Sequence, residues 1–107
     1  MVNALAQMAD APVLIIGDMV ADVYLDGTIS RISREAPVLV LEQRTERVVA
    51  GGAANVANNA ATLGGRSYAA GVCGTDAGGD ALCSVLGENG VDTTGFVRDA
   101  AHPTITK

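Results

Sequence analysis

Aromatic residues make up 3% of this chain, with no tryptophan and a single phenylalanine. That scarcity excludes a core built on large rings, so close packing must come from small aliphatic side chains. Cysteine is nearly absent too. Cys73 and Cys83, with one histidine in the whole chain, are too few and too poorly spaced for a zinc site or a secreted disulfide framework, and both read as reduced structural thiols. Basic charge is in deficit, with seven Lys and Arg against twelve Asp and Glu and a net charge of −5. A nucleic-acid partner would need a basic stripe, and these cations are scattered. No apolar run approaches the roughly 20 residues that span a bilayer, and residues 1–12 lack the basic start of a signal peptide. No membrane partner is expected, and the expected location is cytoplasmic. Neither a Gly-x-x-x-x-Gly-Lys-Ser/Thr loop nor a Gly-x-Gly-x-x-Gly fingerprint occurs.

What is present is a βα rhythm. The 107 residues, 49% of them hydrophobic, fit one small α/β domain. Val13-Leu14-Ile15-Ile16 is a continuous apolar run ending at Gly17-Asp18, the pattern of a strand buried on both faces of a parallel sheet. Ligands gather at the carboxyl ends of such strands, which makes Asp18 and Asp22 candidates for polar contacts. Between 23 and 49 the texture turns to β-type residues broken by turns. Tyr24–Ser30 and Val38–Glu42 predict strands, and Arg47–Val49 a further short one, together forming a small β flap of the kind that covers ligands. Val56, Ala60 and Leu63 then recur at helical spacing up to Gly64-Gly65. Ser67–Gly74 predicts the next strand. Asp76 can cap a second helix with Leu82, Val85 and Leu86 as its buried stripe, stopped by Asn89-Gly90. Thr93–Val97 and Thr104–Lys107 predict two more strands.

The most informative stretch is Gly51-Gly52-Ala53-Ala54-Asn55-Val56-Ala57, followed by Gly64 and Gly74. Two glycines feed a helix start, where backbone can approach a ligand and free N–H groups face oxygen-rich chemistry. A turn into a packed helix, with Asn55 as a simple cap, would account for the short segment equally well. From Gly52 the spacing is glycine, small residue, any residue, Asn, any residue, small residue, six residues, Gly, nine residues, Gly. This resembles the first signature of the PfkB, or ribokinase-like, carbohydrate kinases.

The resemblance implies an α/β, ribokinase-like (Rossmann-like) sandwich with a small β flap. Residues 1–107 would form the N-terminal part of the kinase domain, incomplete at the C-terminal side. It implies that Asp22 accepts hydrogen bonds from sugar hydroxyls, that Gly51 and Gly52 are the glycine hinge, and that Asn55 is the sugar-contacting asparagine; a carboxylate offers lone pairs without competing as a donor. Ser30-Arg31-Ile32-Ser33, Glu35-Ala36-Pro37-Val38 and His102-Pro103-Thr104-Ile105-Thr106-Lys107 are similar to the kinase half of the bifunctional heptose 7-phosphate kinase/heptose 1-phosphate adenylyltransferases. Those enzymes phosphorylate the anomeric oxygen of a heptose 7-phosphate on the route to ADP-heptose for lipopolysaccharide. Arg34 departs from that family, which more often has proline there. For an anionic sugar-phosphate substrate, Arg31, Arg34 and Lys107 are the nearest candidate cations.

The family's catalytic aspartate, anion-stabilising glycine-rich segment and most nucleotide contacts lie beyond the stretch matched here. ATP and magnesium are therefore expected of the complete enzyme, with neither held tightly by these 107 residues, and the isolated chain is expected to be inactive. Another sugar or nucleoside kinase of the same fold, or a noncatalytic sugar-binding or interaction module, fits the same glycine–asparagine motif. Exposed flap edges would suit a homo-oligomer.

Overall fold

The computed structural model of the chain describes residues 2–32, 35 and 39–107. After a short helix α1 (Val2–Gln7), the elements run β1 (Pro12–Ile16), β2 (Met19–Ile32), β3 (Leu39–Gly52), α2 (Ala53–Thr62), β4 (Arg66–Cys73), α3 (Ala77–Glu88), β5 (Asp92–Arg98) and β6 (Ile105–Thr106). They build two sheets. One is parallel, in the order β1-β4-β5, and the other has the order β3-β2-β6.

β2 and β3 form a long antiparallel ribbon, with irregularities of register at Asp26/Gly27 and Ile29/Arg31. The short strand expected at Arg47–Val49 is instead part of β3, because those residues pair continuously with Asp22–Tyr24 and the ribbon passes its irregularities without breaking. The ribbon is also rooted in the core rather than confined to 23–49. Its base residues Met19 and Ala50 are buried with Ala54, Ala57, Ala69, Leu82, Leu86 and Val91. Burial of Met19, Leu82 and Leu86, all fully enclosed, stabilises the fold by about 1.5–3 kcal/mol each.

Helix α2 buries a face other than the expected one. Ala54 and Ala57 are fully enclosed, with Ala53 and Ala61 packed beside them, whereas Val56 and Leu63 are 54% and 56% exposed. The alanine stripe lets the helix axis come close to the sheet; a Cβ on Gly17 would stand 3.0 Å from that of Ala53. Ser67 on β4 fastens this contact by donating to the Ala57 carbonyl at 2.8 Å. Helix α3 follows its sequence pattern, with Leu82 and Leu86 buried, the Asp76 carboxylate accepting from the Gly79 amide, and Asn89 and Gly90 (φ 82°) ending it.

β1 forms where its apolar run predicts, but it is not buried on both faces. Leu14 is 62% and Ile16 74% exposed. Helices α2 and α3 cover one face of the parallel sheet, and among the described residues no layer covers the other. In register, Leu14 lies beside Tyr68 and Val72 beside Val97, so the open face is a patch of partly exposed apolar side chains. The smallest dimension of the molecule, 19 Å, matches one sheet and one helix layer at about 10 Å each. β6 departs from the expected rhythm by joining the ribbon, where it runs parallel to β2, instead of extending the β1-β4-β5 sheet.

Candidate functional site

The site forms where β2, β3, the start of α2 and β6 meet. Asp22 lies on β2, opposite Val49, one residue beyond the Ala21↔Ala50 pair and two beyond Val20↔Gly51. The missing side chain at Gly51 makes room for it: a Cβ there would fall 2.6 Å from Asp22 Oδ2. Gly52 is required for a second reason. It takes φ 56°, a left-handed conformation costly for residues with a Cβ, and an added Cβ would sit 2.6 Å from the Asp18 carbonyl oxygen. That carbonyl accepts the Ala53 amide at 2.8 Å. The end of β1 is thereby joined to the first turn of α2, and Asp18 contributes through its backbone.

Asp22 is the unusual group. Its side chain is 19% exposed, and Oδ1 is buried with no hydrogen-bond partner. The nearest cation is the Lys107 ammonium, 3.7 Å from Oδ1 and on a side chain that is 82% exposed. At that distance the pair attracts without a hydrogen bond. A buried acceptor left unsatisfied costs about 1–3 kcal/mol, which a ligand hydroxyl donating to it would recover.

Asn55 occupies the third position of α2 and is exposed. It does not cap the helix: Gly52 is the N-cap, and no side chain bonds to the free amides there. The first-turn amides beyond Ala53 and the Asn55 amide group thus remain open to a polar ligand on the side where Gly51 and Gly52 leave the backbone bare. Arg34 lies outside the described residues, as does the side chain of Arg31, whose backbone belongs to β2. Of the three candidate phosphate contacts, Lys107 is placed beside Asp22.

A cavity of ≈ 380 Å³ opens nearby at the carboxyl ends of β1 and β4, lined by Ile16, Gly17, Asp18, Gly71, Val72, His102, Pro103 and Ile105. Its walls do not include Asp22, Gly51, Gly52 or Asn55. His102 pairs with Asp99 at 3.2 Å. The Cys73 thiol is pushed up from its ordinary value, chiefly by burial, and both cysteines are free. Among the described residues no group of three or more His, Cys, Asp or Glu could hold a metal ion. No helix among them is long and apolar enough to cross a membrane.

Sequence reasoning missed the connection between Asp76 and Thr104. The Asp76 carboxylate, expected only as a helix cap, also accepts from the Thr104 amide at 2.9 Å and hydroxyl at 2.6 Å, while that hydroxyl accepts from the Gly74 amide at 2.9 Å. The Thr104 hydroxyl and amide, together with the Gly79 amide, lower the Asp76 pKa to about 2, the hydroxyl contributing most. The residues are 28 apart, and no local pattern announces their contact.

Residues 10–107 match the pfkB family carbohydrate kinases, and the chain belongs to that family. It is 47% identical over 104 residues to the bifunctional protein HldE of Azorhizobium caulinodans, covering 96% of this chain and 22% of that protein. The HldE of Magnetococcus marinus is likewise 47% identical over 95 residues, 89% of this chain and 20% of that one. The chain thus spans about a fifth of the length of these relatives. Among solved structures, Arabidopsis thaliana ribokinase complexed with ribose and ATP aligns with a TM-score of 0.67 at 30% identity, over 89% of this chain and 30% of that one. Xylella fastidiosa fructokinase with bound ATP gives 0.64 at 31%, over 89% and 28%. The fold is that of the ribokinase-like sugar kinases.

Proposed function

We propose that this chain is the N-terminal part of a ribokinase-like kinase domain and supplies its sugar-acceptor site, in a cytoplasmic enzyme that transfers phosphate from ATP to a sugar hydroxyl. The observation that carries this reading is the buried Oδ1 of Asp22, which has no hydrogen-bond partner and stands against a glycine pair that opens onto a helix start with no side-chain cap. Asp22 accepts from sugar hydroxyls, Asn55 donates and accepts, and Gly51 and Gly52 let the sugar approach the backbone. The β2–β3 ribbon flanks the bound sugar and limits its access to water. ATP with magnesium, held by the remainder of the complete enzyme, supplies the phosphoryl group; the base that takes the acceptor proton lies there too.

The substrate we propose is a heptose 7-phosphate, phosphorylated at its anomeric oxygen for ADP-heptose and lipopolysaccharide synthesis. The 47% identity to HldE proteins and the Ser30–Ser33, Glu35–Val38 and His102–Lys107 segments support it. Arg31, Arg34 and Lys107 are the proposed phosphate contacts. In the complete enzyme, Asp22→Ala and Asn55→Ala should each weaken sugar binding by about 1–3 kcal/mol and leave ATP binding unchanged when both ligands are titrated. Unchanged sugar affinity in both variants would refute the assignment.

A further inference from the structure

We propose that Asp76 and Thr104 are positioning residues for the sugar site, holding β6 in the one register that sets the Lys107 ammonium against Asp22. This rests on the sugar-site reading above and adds to it a device 28 residues long in sequence.

β6 pairs with β2 at Val20↔Ile105 and Ala21↔Thr106, extended by the Lys107 amide donating to the Ala21 carbonyl at 3.1 Å and the Val23 amide donating to the Lys107 carbonyl at 2.7 Å. A slip of one residue would move each side chain by about 3.3 Å and turn it to the opposite face. Thr106 would then stand where Lys107 does. What opposes the slip is the residue just before the strand. Thr104 is buried, and both its amide and its hydroxyl donate to the Asp76 carboxylate. Asp76 is fixed in turn because the same carboxylate caps α3 through the Gly79 amide at 2.8 Å. The turn between β4 and α3 is held from a third side, where Arg98 on β5 donates to the Gly74 carbonyl at 2.8 Å and pairs with Asp80. The clamp therefore references the residue leading into β6 to the parallel sheet and α3, while β6 itself and Asp22 both belong to the ribbon. Lys107 reaches Asp22 from a strand held on one side by its pairing with β2 and at its start by the clamp.

The test is a double-mutant cycle in the complete kinase chain that carries this segment, with a sugar phosphate as the varied substrate. Thr104→Val should raise the sugar-phosphate KM about tenfold, the scale of one lost hydrogen bond to a charged group, with the KM for ATP unchanged, and Thr104→Ser should restore it. In a Lys107→Ala background Thr104→Val should add nothing, because the residue it positions is gone. Asp76→Asn keeps the shape of the clamp and reads the same coupling if the valine variant does not accumulate. Effects that add fully in the Lys107→Ala background, or a parallel rise in the KM for ATP, would overturn the proposal. Asp22→Ala separates the two levels of inference. If it leaves sugar use intact, the site itself is wrong; if it abolishes sugar use while the clamp and Lys107 variants add independently, the site stands and the positioning role falls.

Discussion

Replacing Gly51 with alanine tests the site without touching a group proposed to contact the sugar through its side chain. The added methyl would begin 2.6 Å from Asp22 Oδ2, 2.9 Å from its Cγ and 3.2 Å from Oδ1, all shorter than a van der Waals contact of about 3.5–4.0 Å. The backbone at Gly51 is not in the left-handed region, so the conflict is one of space alone. The Asp22 side chain has only two torsions, χ1 and χ2, and it can relieve the clash by leaving its rotamer, a change of about 0.5–1.5 kcal/mol. Folding should therefore lose little. Binding should lose more, since the carboxylate no longer faces the sugar and forfeits hydrogen bonds of about 1.5–3 kcal/mol, roughly ten- to a hundredfold in affinity. The assay is calorimetric titration of the complete enzyme with sugar phosphate and, separately, with ATP, alongside a melting curve. Gly87→Ala is the control: nothing lies within 4 Å of its added Cβ, and a helical Gly→Ala change should stabilise by about 0.5–1 kcal/mol with no effect on either ligand. Sugar affinity unaltered by Gly51→Ala would refute the reasoning, because the crowding of Asp22 would then have no consequence at the site.

Three further outcomes are expected. The Asp76 pKa falls from 3.8 to about 2 on folding, so its stabilising contribution is complete above pH 4 and is lost as pH falls toward 2; urea midpoints across that range should drop less steeply in Asp76→Asn, and superimposable acid limbs would contradict the clamp. Purified residues 1–107 should show no sugar-dependent phosphoryl transfer from ATP, measured by product formation; activity that co-purifies with the chain and vanishes in Asp22→Ala would sink the division of labour proposed here. The open sheet face, with Leu14, Ile16, Tyr68, Val72 and Val97 partly exposed, should make the isolated chain self-associate, and a sharp monomer peak in size-exclusion chromatography with one reversible thermal transition would show that the face needs no cover.

Much of the architecture was legible because it is encoded locally. The apolar run of β1, the Leu82/Leu86 spacing of α3, the Asp76 cap and the Asn89-Gly90 stop each act within a few residues. The glycine–asparagine motif pointed to the region where Asp22, Gly51 and Gly52 meet, since two of these are adjacent and the third follows the first core strand. Local patterns misjudged α2, because hydropathy favoured Val56 and Leu63 whereas the sheet accepts only the slim alanine face. At β1 the apolar run marks a strand suited to cover on both faces, and among the described residues one of those faces is open.

The sequence by itself determined the family and, by short-range pattern, the βα alternation that follows the ribbon, and it named Asp22, Gly51, Gly52 and Asn55 as the candidate site. Only the tertiary structure decided that Asp22 keeps a buried oxygen without a hydrogen bond, that Gly51 is bare because that carboxylate fills its space, and that β6 joins the ribbon and brings Lys107 to Asp22. Those contacts join residues 29 to 85 positions apart, and chain geometry alone sets no such distance until the core around Met19, Ala54 and Leu82 has closed.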